Sequence, residues 1–201
     1  MNAASAPAAA GEWDGGWWRR ARRVPSPNFG PRPADAVVDL ALIHSISLPP
    51  GRYGGDAIER LFTNTLDWDA DPYFAGIRGL QVSAHFVIRR DGELLQFVSI
   101  ADRAWHAGRS AWNGRENCND FGIGIELEGL EGEAFEPAQY EALADLLRAL
   151  DGAREIRHVV GHEHVAPGRK VDPGPGFDWQ DLAARLGWDR ARIPPANPRQ
   201  G

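Results

Sequence analysis

The sequence predicts one α/β (α+β) domain, built on a mixed central β-sheet with flanking helices. Its 201 residues are enough for one typical domain. Hydrophobic residues make up 43% of the chain and charged residues 25%, which is the composition of a globular protein rather than a disordered or coiled-coil one. Short apolar strands alternate with helical periodicities along the chain. This order is typical of a sheet covered by helices.

Each predicted element follows from a local pattern of apolar and turn-forming residues. In chain order they are a strand over 36–43, a helix of about ten residues after Asp56, a hairpin over 82–98 that turns at Asp91-Gly92, a strand over 122–129, a helix over 137–150, a short strand at 159–160 and a helix over 177–186. In the strand over 122–129, side chains alternate between two faces. The two glutamates of that strand, Glu126 and Glu128, therefore share one face.

The two ends of the chain are expected to be tails around a folded domain over 22–188. Residues 1–21 begin with an Ala/Gly-rich stretch, and residues 189–201 are rich in proline. No basic segment precedes an apolar stretch near the N-terminus, so we expect no signal peptide and a cytoplasmic location. No apolar run is long enough for a membrane-spanning helix, so we expect no membrane partner.

Charge and cysteine content limit the classes of partner. The chain carries 22 basic and 28 acidic residues, a net charge of −6, which argues against a nucleic-acid partner. The one cysteine, Cys118, cannot form an internal disulfide, so an oxidising compartment is not required.

Two histidines follow predicted apolar strands, where folds of this class place their sites. His44 follows the strand over 36–43, and His162 follows the strand at 159–160. Asp172 lies in a later segment that is too rich in proline and glycine to be helical. Two imidazoles and one carboxylate are a standard ligand set for catalytic zinc, with a fourth position left for water. The alternative is that each histidine is simply packed or exposed.

Glu126 is the candidate proton acceptor. Its strand has glycines at Gly122, Gly124 and Gly129, and glycine in a strand often marks the close approach of a ligand or another backbone. A carboxylate near zinc can take the proton of an activated water. The alternative is a solvated strand face, which suits Glu128 at least as well.

Lys170 is the single lysine of the chain beside 21 arginines. The compact ammonium of lysine and the planar guanidinium of arginine are not interchangeable. A single lysine in such a chain therefore indicates a position whose function arginine cannot perform. Close to a reacting carbonyl, the ammonium could stabilise developing negative charge. The alternative is an ordinary surface lysine.

Three further histidines compete with or accompany this set. His158 and His164 are rivals for the metal, although His164 points away from the side of His162 if the chain is extended there. His85, within the predicted hairpin, is expected to be structural.

The segment around Trp105 and His106 offers groups for binding a substrate. His106 could contact substrate or order its loop. Trp105 and Trp112 could stack on sugar rings, and core packing is the alternative for both.

Five motifs, in order and with similar spacing, resemble those of the AmpD-like 1,6-anhydro-N-acetylmuramoyl-L-alanine amidases, of the amidase-2 and peptidoglycan-recognition superfamily. They are ISLPPG at 46–51, VSAH at 82–85, RAWHAG at 103–108, GIGIELEG at 122–129 and KVDPGP at 170–175. The resemblance implies a mixed sheet with flanking helices and one zinc ion held by His44, His162 and Asp172. It also implies Glu126 as general base and Lys170 as the oxyanion stabiliser.

The resemblance further implies hydrolysis of the amide between the muramoyl lactyl group and L-alanine, on small muropeptides recovered during cell-wall recycling in the cytoplasm. We expect a monomer. Three candidate substrate contacts depart from the family pattern: Ser45 stands where asparagine is common, and Gln81 and Asn117 stand where arginine is frequent. Without those arginines, recognition of the carboxylates of the stem peptide is expected to differ.

Two other functions compete with the amidase. A non-catalytic peptidoglycan-recognition module typically lacks part of the metal set, whereas this sequence has the whole set together with Glu126 and Lys170. A secreted autolysin would need an export signal, which we do not find in the sequence. The amidase is therefore the favoured prediction.

Overall fold

The computed structural model describes residues 11–194 of the chain. The strands of this part, in chain order, are β1 (Trp13–Asp14), β2 (Trp17–Trp18), β3 (Arg22–Arg23), β4 (Phe29–Gly30), β5 (Leu40–Ile46), β6 (Phe86–Ile88), β7 (Leu94–Gln96), β8 (Arg103–Ala104), β9 (Ala111–Trp112), β10 (Arg115–Glu116), β11 (Gly122–Glu128) and β12 (His158–Gly161). The helices are α1 (Ala57–Phe62), α2 (Pro72–Gly76), α3 (Pro137–Arg154), α4 (His162–Val165) and α5 (Trp179–Leu186). Short 3₁₀ turns cover Cys118–Asp120 and Arg190–Arg192.

The central sheet has six strands in the order β12-β5-β11-β6-β7-β3. The first four strands run parallel to one another, β6 and β7 form the antiparallel hairpin, and β3 joins β7 in parallel at the edge. The prediction of a mixed sheet flanked by helices is confirmed.

Strand β5 begins later and ends later than predicted. Its first residue, Leu40, pairs with Gly122, the first residue of β11, so the residues before it have no partner strand on that side. Val37, inside the predicted strand, is 60% exposed. The strand continues to Ile46, and His44 therefore lies within it rather than after it.

Helices α3 and α5 cover one face of the sheet. Ile43, Ile125 and Leu127 point into this layer and are fully buried there. Helix α3 begins with a proline at its first position, where no backbone N–H is needed, and the Gln139 side chain caps it by accepting from the Glu136 N–H at 3.0 Å. This buried layer leaves the opposite face of β5 and β11 available for polar side chains.

Helices α1 and α2 pack with residues of β6, β7 and the following segment in a second apolar cluster. Helix α1 has six residues instead of the expected ten or so. The Thr63 hydroxyl donates to the Glu59 carbonyl, and Asn64 takes a left-handed φ of 59°, so the helix ends there. Asp56 precedes the helix, but its side chain makes no capping hydrogen bond.

The described parts of both expected tails pack on the domain. Trp18 is 3% exposed, stacks on Trp13 and donates its backbone N–H to Gln96 at 2.7 Å. At the other end, Ile193 is 5% exposed and joins the main core. Apolar tryptophan and isoleucine side chains gain by burial, so the packed fold extends beyond 22–188 at both ends. Residues 1–10 and 195–201 of the predicted tails lie outside the described residues.

Over residues 11–194, no helix is both long and apolar enough to cross a membrane.

Candidate active site

His44, His162 and Asp172 converge at one edge of the parallel strands. The Nδ1 atoms of His44 and His162 lie 2.9 Å apart, and each lies 3.0 Å from Oδ2 of Asp172. All three side chains are buried. They are the one group of this kind that could hold a metal ion among the described residues.

Parallel strand pairing brings the two histidines together. Strand β12 pairs with β5 in a register that ends with Gly161 opposite Ile43. His162 directly follows Gly161 and His44 directly follows Ile43, so the two histidines are neighbours. His162 is also the first residue of α4. The loop that carries Asp172 folds back on this helix, because the Glu163 N–H donates to the Asp172 carbonyl at 2.9 Å.

The protonation of these donors fits a bound cation. His162 Nε2 lies 3.0 Å from the Ala107 carbonyl, which can only accept, so a ring proton on Nε2 satisfies that contact and leaves Nδ1 available to bind a cation in place of its hydrogen bond to Asp172. Burial lowers the pKa of His44 to about 4, which keeps that ring neutral at pH 7. Four ligands on a tetrahedral zinc at about 2.1 Å lie roughly 3.4 Å apart, close to the observed separations.

Asp172 supplies the negative charge of the set. Burial alone would raise its pKa, but hydrogen bonds with His162 and His44 hold the pKa well below its ordinary range. The carboxyl is therefore an anion at neutral pH, which suits a ligand for a divalent cation.

Glu126 lies beside the triangle of donors on β11. The side chain is 9% exposed, and its Oε2 has no hydrogen-bond partner in the described part of the chain. Burial, and then the negative charge of Asp172, raise the pKa of Glu126 well above its usual value. A raised pKa makes the carboxylate a better proton acceptor.

Lys170 and Asp172 reach the same cavity from one loop. Both line its wall, whereas Val171 between them is 64% exposed. This alternation is that of an extended segment, in which residues two apart point to the same side. The charge of Lys170 favours the ionised form of Glu126, so the two groups interact electrostatically.

The cavity has a volume of about 440 Å³ and joins these polar groups to an apolar wall. The apolar side chains of that wall are Leu48, Leu61, Phe62, Ile77, Leu80 and Val82. Ser45, Trp105 and His106 line the cavity, and Ser45 Oγ is buried without a partner in the described structure. The sequence did not identify this wall, because an apolar residue gives the same pattern whether it faces a core or a cavity.

Two predicted substrate contacts lie elsewhere. Gln81 and Asn117 are exposed and do not line this cavity. Asn117 has a left-handed φ of 58° at the start of a 3₁₀ turn, a conformation that asparagine adopts more readily than most residues.

The remaining histidines lie outside the donor triangle. His164 accepts from the Gly161 N–H and contacts Trp179, while His158 lies near Asn113. His85 accepts from the Gly124 N–H at 3.0 Å and is fully buried. Trp112 packs its edge against His158 rather than lining the cavity.

The sequence left open that Glu128 lies on a solvated strand face, and the structure shows that it does not. It is 2% exposed and pairs with Arg89 at 3.2 Å. Its carboxylate also accepts from the Gly54 N–H at 2.7 Å and the Arg90 N–H at 3.3 Å. Arginines on the neighbouring hairpin make this burial favourable, and sequence alternation carries no sign of them.

A mixed sheet with a buried His-His-Asp set and a carboxylate beside it has the features of metal-dependent hydrolases. Residues 34–175 match the N-acetylmuramoyl-L-alanine amidase family, and the chain belongs to this family. The predicted recognition and enzyme class are thereby confirmed.

Individual relatives agree with this assignment. The chain is 54% identical over 173 residues to the 1,6-anhydro-N-acetylmuramyl-L-alanine amidase AmpD of Citrobacter freundii, covering 85% of this chain and 92% of that protein. A crystal structure of a selenomethionine derivative of AmpD superposes with a TM-score of 0.84 at 53% identity, over 86% of this chain and 98% of that one. AmiD of E. coli, in complex with anhydro-N-acetylmuramic acid-L-Ala-D-γ-Glu-L-Lys, gives a TM-score of 0.55 at 32% identity, over 77% and 60% of the two chains.

Proposed function

We propose that this enzyme is a zinc amidase that hydrolyses the lactyl amide between N-acetylmuramic acid, including its 1,6-anhydro form, and L-alanine of muropeptides in cell-wall recycling. The observation that carries the proposal is the triangle of His44, His162 and Asp172 with Glu126 beside it in one cavity. The relatives named above act on or bind such compounds, and the cavity fits a small ligand.

His44, His162 and Asp172 would hold one zinc ion through two bare nitrogens and one carboxylate oxygen. When bound, zinc supplies a Lewis acid that polarises the amide carbonyl and makes water more acidic. With no fourth ligand of this kind among residues 11–194, the three donors would leave a position open for water, which distinguishes catalytic from structural zinc sites.

Glu126 moves the proton. Its Oε2, which has no hydrogen-bond partner among the described residues, accepts a proton from the water that adds to the carbonyl carbon. The same carboxyl then gives the proton to the departing nitrogen of L-alanine. The C–N bond breaks as this proton arrives, so the products are a lactyl carboxylic acid, which keeps the second proton of the water, and the free amine of L-alanine. The raised pKa suits a group that must both take up and release a proton.

Lys170 stabilises the negative charge that develops on the carbonyl oxygen. The ammonium lines the cavity on the side of Asp172 and acts more strongly on the tetrahedral intermediate than on the neutral amide.

Ser45 and Trp105 orient the substrate. The hydroxyl of Ser45, which has no partner in the described part of the chain, can donate to a polar group of the substrate. Trp105 offers a flat surface for a sugar ring. His106 also faces the cavity. Gln81 and Asn117, which the sequence predicted as substrate contacts, would on this proposal contact only a stem peptide that extends beyond the cavity.

The complete donor set favours an enzyme over a non-catalytic recognition module. We assign the enzyme to the cytoplasm as a monomer, on the resemblance to AmpD-like amidases and the small size of the substrate. Cell fractionation and light scattering test these two assignments.

The direct test is hydrolysis of purified anhydro-muropeptide, followed by separation of the freed peptide. We expect turnover that is lost with a strong chelator and restored by stoichiometric zinc. Binding of the muropeptide without turnover in the zinc-loaded protein would contradict the proposal and indicate a recognition module.

A further inference from the structure

Two consecutive residues outside the donor triangle each contact one of the two histidine ligands. His106 Nδ1 lies 3.0 Å from His44 Nε2, and the Ala107 carbonyl lies 3.0 Å from His162 Nε2. In each ligand this is the ring nitrogen opposite the one that faces Asp172. Neither residue is itself part of the candidate metal group.

We propose that His106 and Ala107 act as one orienting unit for the two histidine ligands, held in position by Asn119. The inference rests on the proposed zinc site, because a histidine ligand must present a nitrogen that carries no proton. The hydrogen bond on the other nitrogen sets which one that is.

The direction of the proton follows for each ligand. The Ala107 carbonyl can only accept, so His162 carries its proton on Nε2. For His44 to present a bare Nδ1, its Nε2–H must donate to His106 Nδ1. His106 then carries its own proton on Nε2, an atom that is buried without a partner in the described structure.

Asn119 fixes the backbone of the unit. Its Oδ1 accepts from the His106 N–H at 3.2 Å and from the Ala107 N–H at 2.8 Å. The Asn119 side chain is buried and does not line the cavity. Any effect of Asn119 on a metal ion must therefore pass through His106 and Ala107.

Two further residues complete the fixation. Arg169 donates to the Ala107 carbonyl at 2.7 Å and to the Arg109 carbonyl at 2.6 Å, which joins this segment to the loop before Asp172. On the other side, a Cβ at Gly124 would lie 2.4 Å from Cγ of His106. The ring of His106 thus occupies the space that a side chain on this strand would need.

The test compares zinc affinities of full-length variants by competition with a chromophoric chelator. His106→Leu removes the acceptor for His44, whereas His106→Asn has a similar shape and can keep an oxygen near the position of Nδ1. We expect zinc to bind roughly 10- to 100-fold more weakly to His106→Leu and close to normally to His106→Asn. His158→Leu is the matched control on a histidine outside the site, and its affinity should equal that of the wild type.

Asn119 gives an independent comparison. Asn119→Ala removes the acceptor for both N–H groups, while Asn119→Asp retains an oxygen in its place. We expect weaker zinc binding in the first and recovery in the second. If Asn119→Ala does not fold, the His106 variants still decide the question.

The positions of the ring protons provide a readout that packing alone would not move. Long-range ¹H–¹⁵N NMR of the zinc-loaded wild type should show the His44 Nε2–H at the downfield shift of a hydrogen-bonded proton, because it donates to His106. This resonance should move upfield in His106→Leu and stay in place in His106→Asn. Unchanged zinc affinity in His106→Leu, or a His44 Nε2–H resonance that does not respond to that change, overturns the inference. A wild type that binds no zinc contradicts the proposed function instead.

Discussion

Glu126 lies directly opposite His44 in the parallel register of β11 and β5. Residues at such paired positions point to the same face of the sheet, so the carboxylate is fixed beside the histidine by backbone hydrogen bonds. The apolar residues that alternate with them, such as Ile43 and Ile125, are buried against α3. Both polar side chains therefore lie on the other face of the sheet. The spacing between the candidate base and the candidate ligand is therefore set by the sheet rather than by a loop.

The first prediction concerns the metal. His162→Ala should lower bound zinc and abolish hydrolysis, because one of three ligands is lost. Metal content by mass spectrometry and the rate of muropeptide cleavage check this result. His164→Ala is the matched control, since His164 accepts from the Gly161 N–H and lies outside the donor triangle. Stoichiometric zinc retained by the His162 variant would overturn the ligand assignment.

The second prediction concerns the proton acceptor. Glu126→Gln keeps the shape of the side chain but cannot take up a proton from water. We expect zinc content and substrate affinity to persist while kcat falls by roughly 100-fold or more. Steady-state kinetics with the zinc-loaded variant measure this, and near-normal turnover would remove Glu126 from the mechanism.

The third prediction concerns Lys170. Lys170→Ala should lower kcat on the order of 100-fold with zinc content unchanged, because the ammonium acts on the transition state. Lys170→Arg keeps the charge on a bulkier planar group and should restore the rate only in part. If Lys170→Ala keeps the wild-type kcat and only melts at a lower temperature, the lysine is a packing residue of its loop.

The fourth prediction separates the two glutamates of β11. Glu128→Gln removes the carboxylate that faces Arg89 Nη1, while Glu59 still pairs with Arg89 Nη2 at 2.8 Å, so the free energy of unfolding should fall by about 2 kcal/mol. Urea denaturation measures this loss, and kcat of the folded variant should stay near that of the wild type. Replacing both partners, Glu128→Gln with Arg89→Met, should recover part of the stability. A stable single variant with lost turnover would instead give Glu128 a catalytic role.

The fifth prediction concerns Asn117, whose φ of 58° is strained for most residues. Asn117→Ala should lower the free energy of unfolding by about 1 kcal/mol, while Asn117→Gly should not. Thermal denaturation of both variants checks the difference. A large rise in KM for a short muropeptide in either variant would show that the residue contacts substrate after all.

Sequence patterns predicted the mixed sheet, and they named the residues that the fold brings together in the candidate site, because both depend on local order. The alternation around Glu126 placed it on the face opposite the apolar residues, and the strands before His44 and His162 placed both at one sheet edge. The ends of β5 could not be predicted, since they depend on where β11 begins.

Contacts made by backbone atoms or distant partners were equally inaccessible from the sequence. The Ala107 carbonyl that binds His162 carries no residue-type signal, because every residue has a carbonyl. The burial of Glu128 depends on Arg89 across the sheet, 39 positions away. The glycine pattern of β11 did indicate a close approach, and the group that approaches Gly124 is the ring of His106.

The donors of the candidate site are far apart along the chain, with 118 positions between His44 and His162 and 128 between His44 and Asp172. During synthesis from the N-terminus, the first histidine leaves the ribosome long before its two partners exist. A chain that ends before His162 therefore holds only one of the three donors, His44. The complete donor set forms only after Asp172 has been synthesised and β12 has docked beside β5.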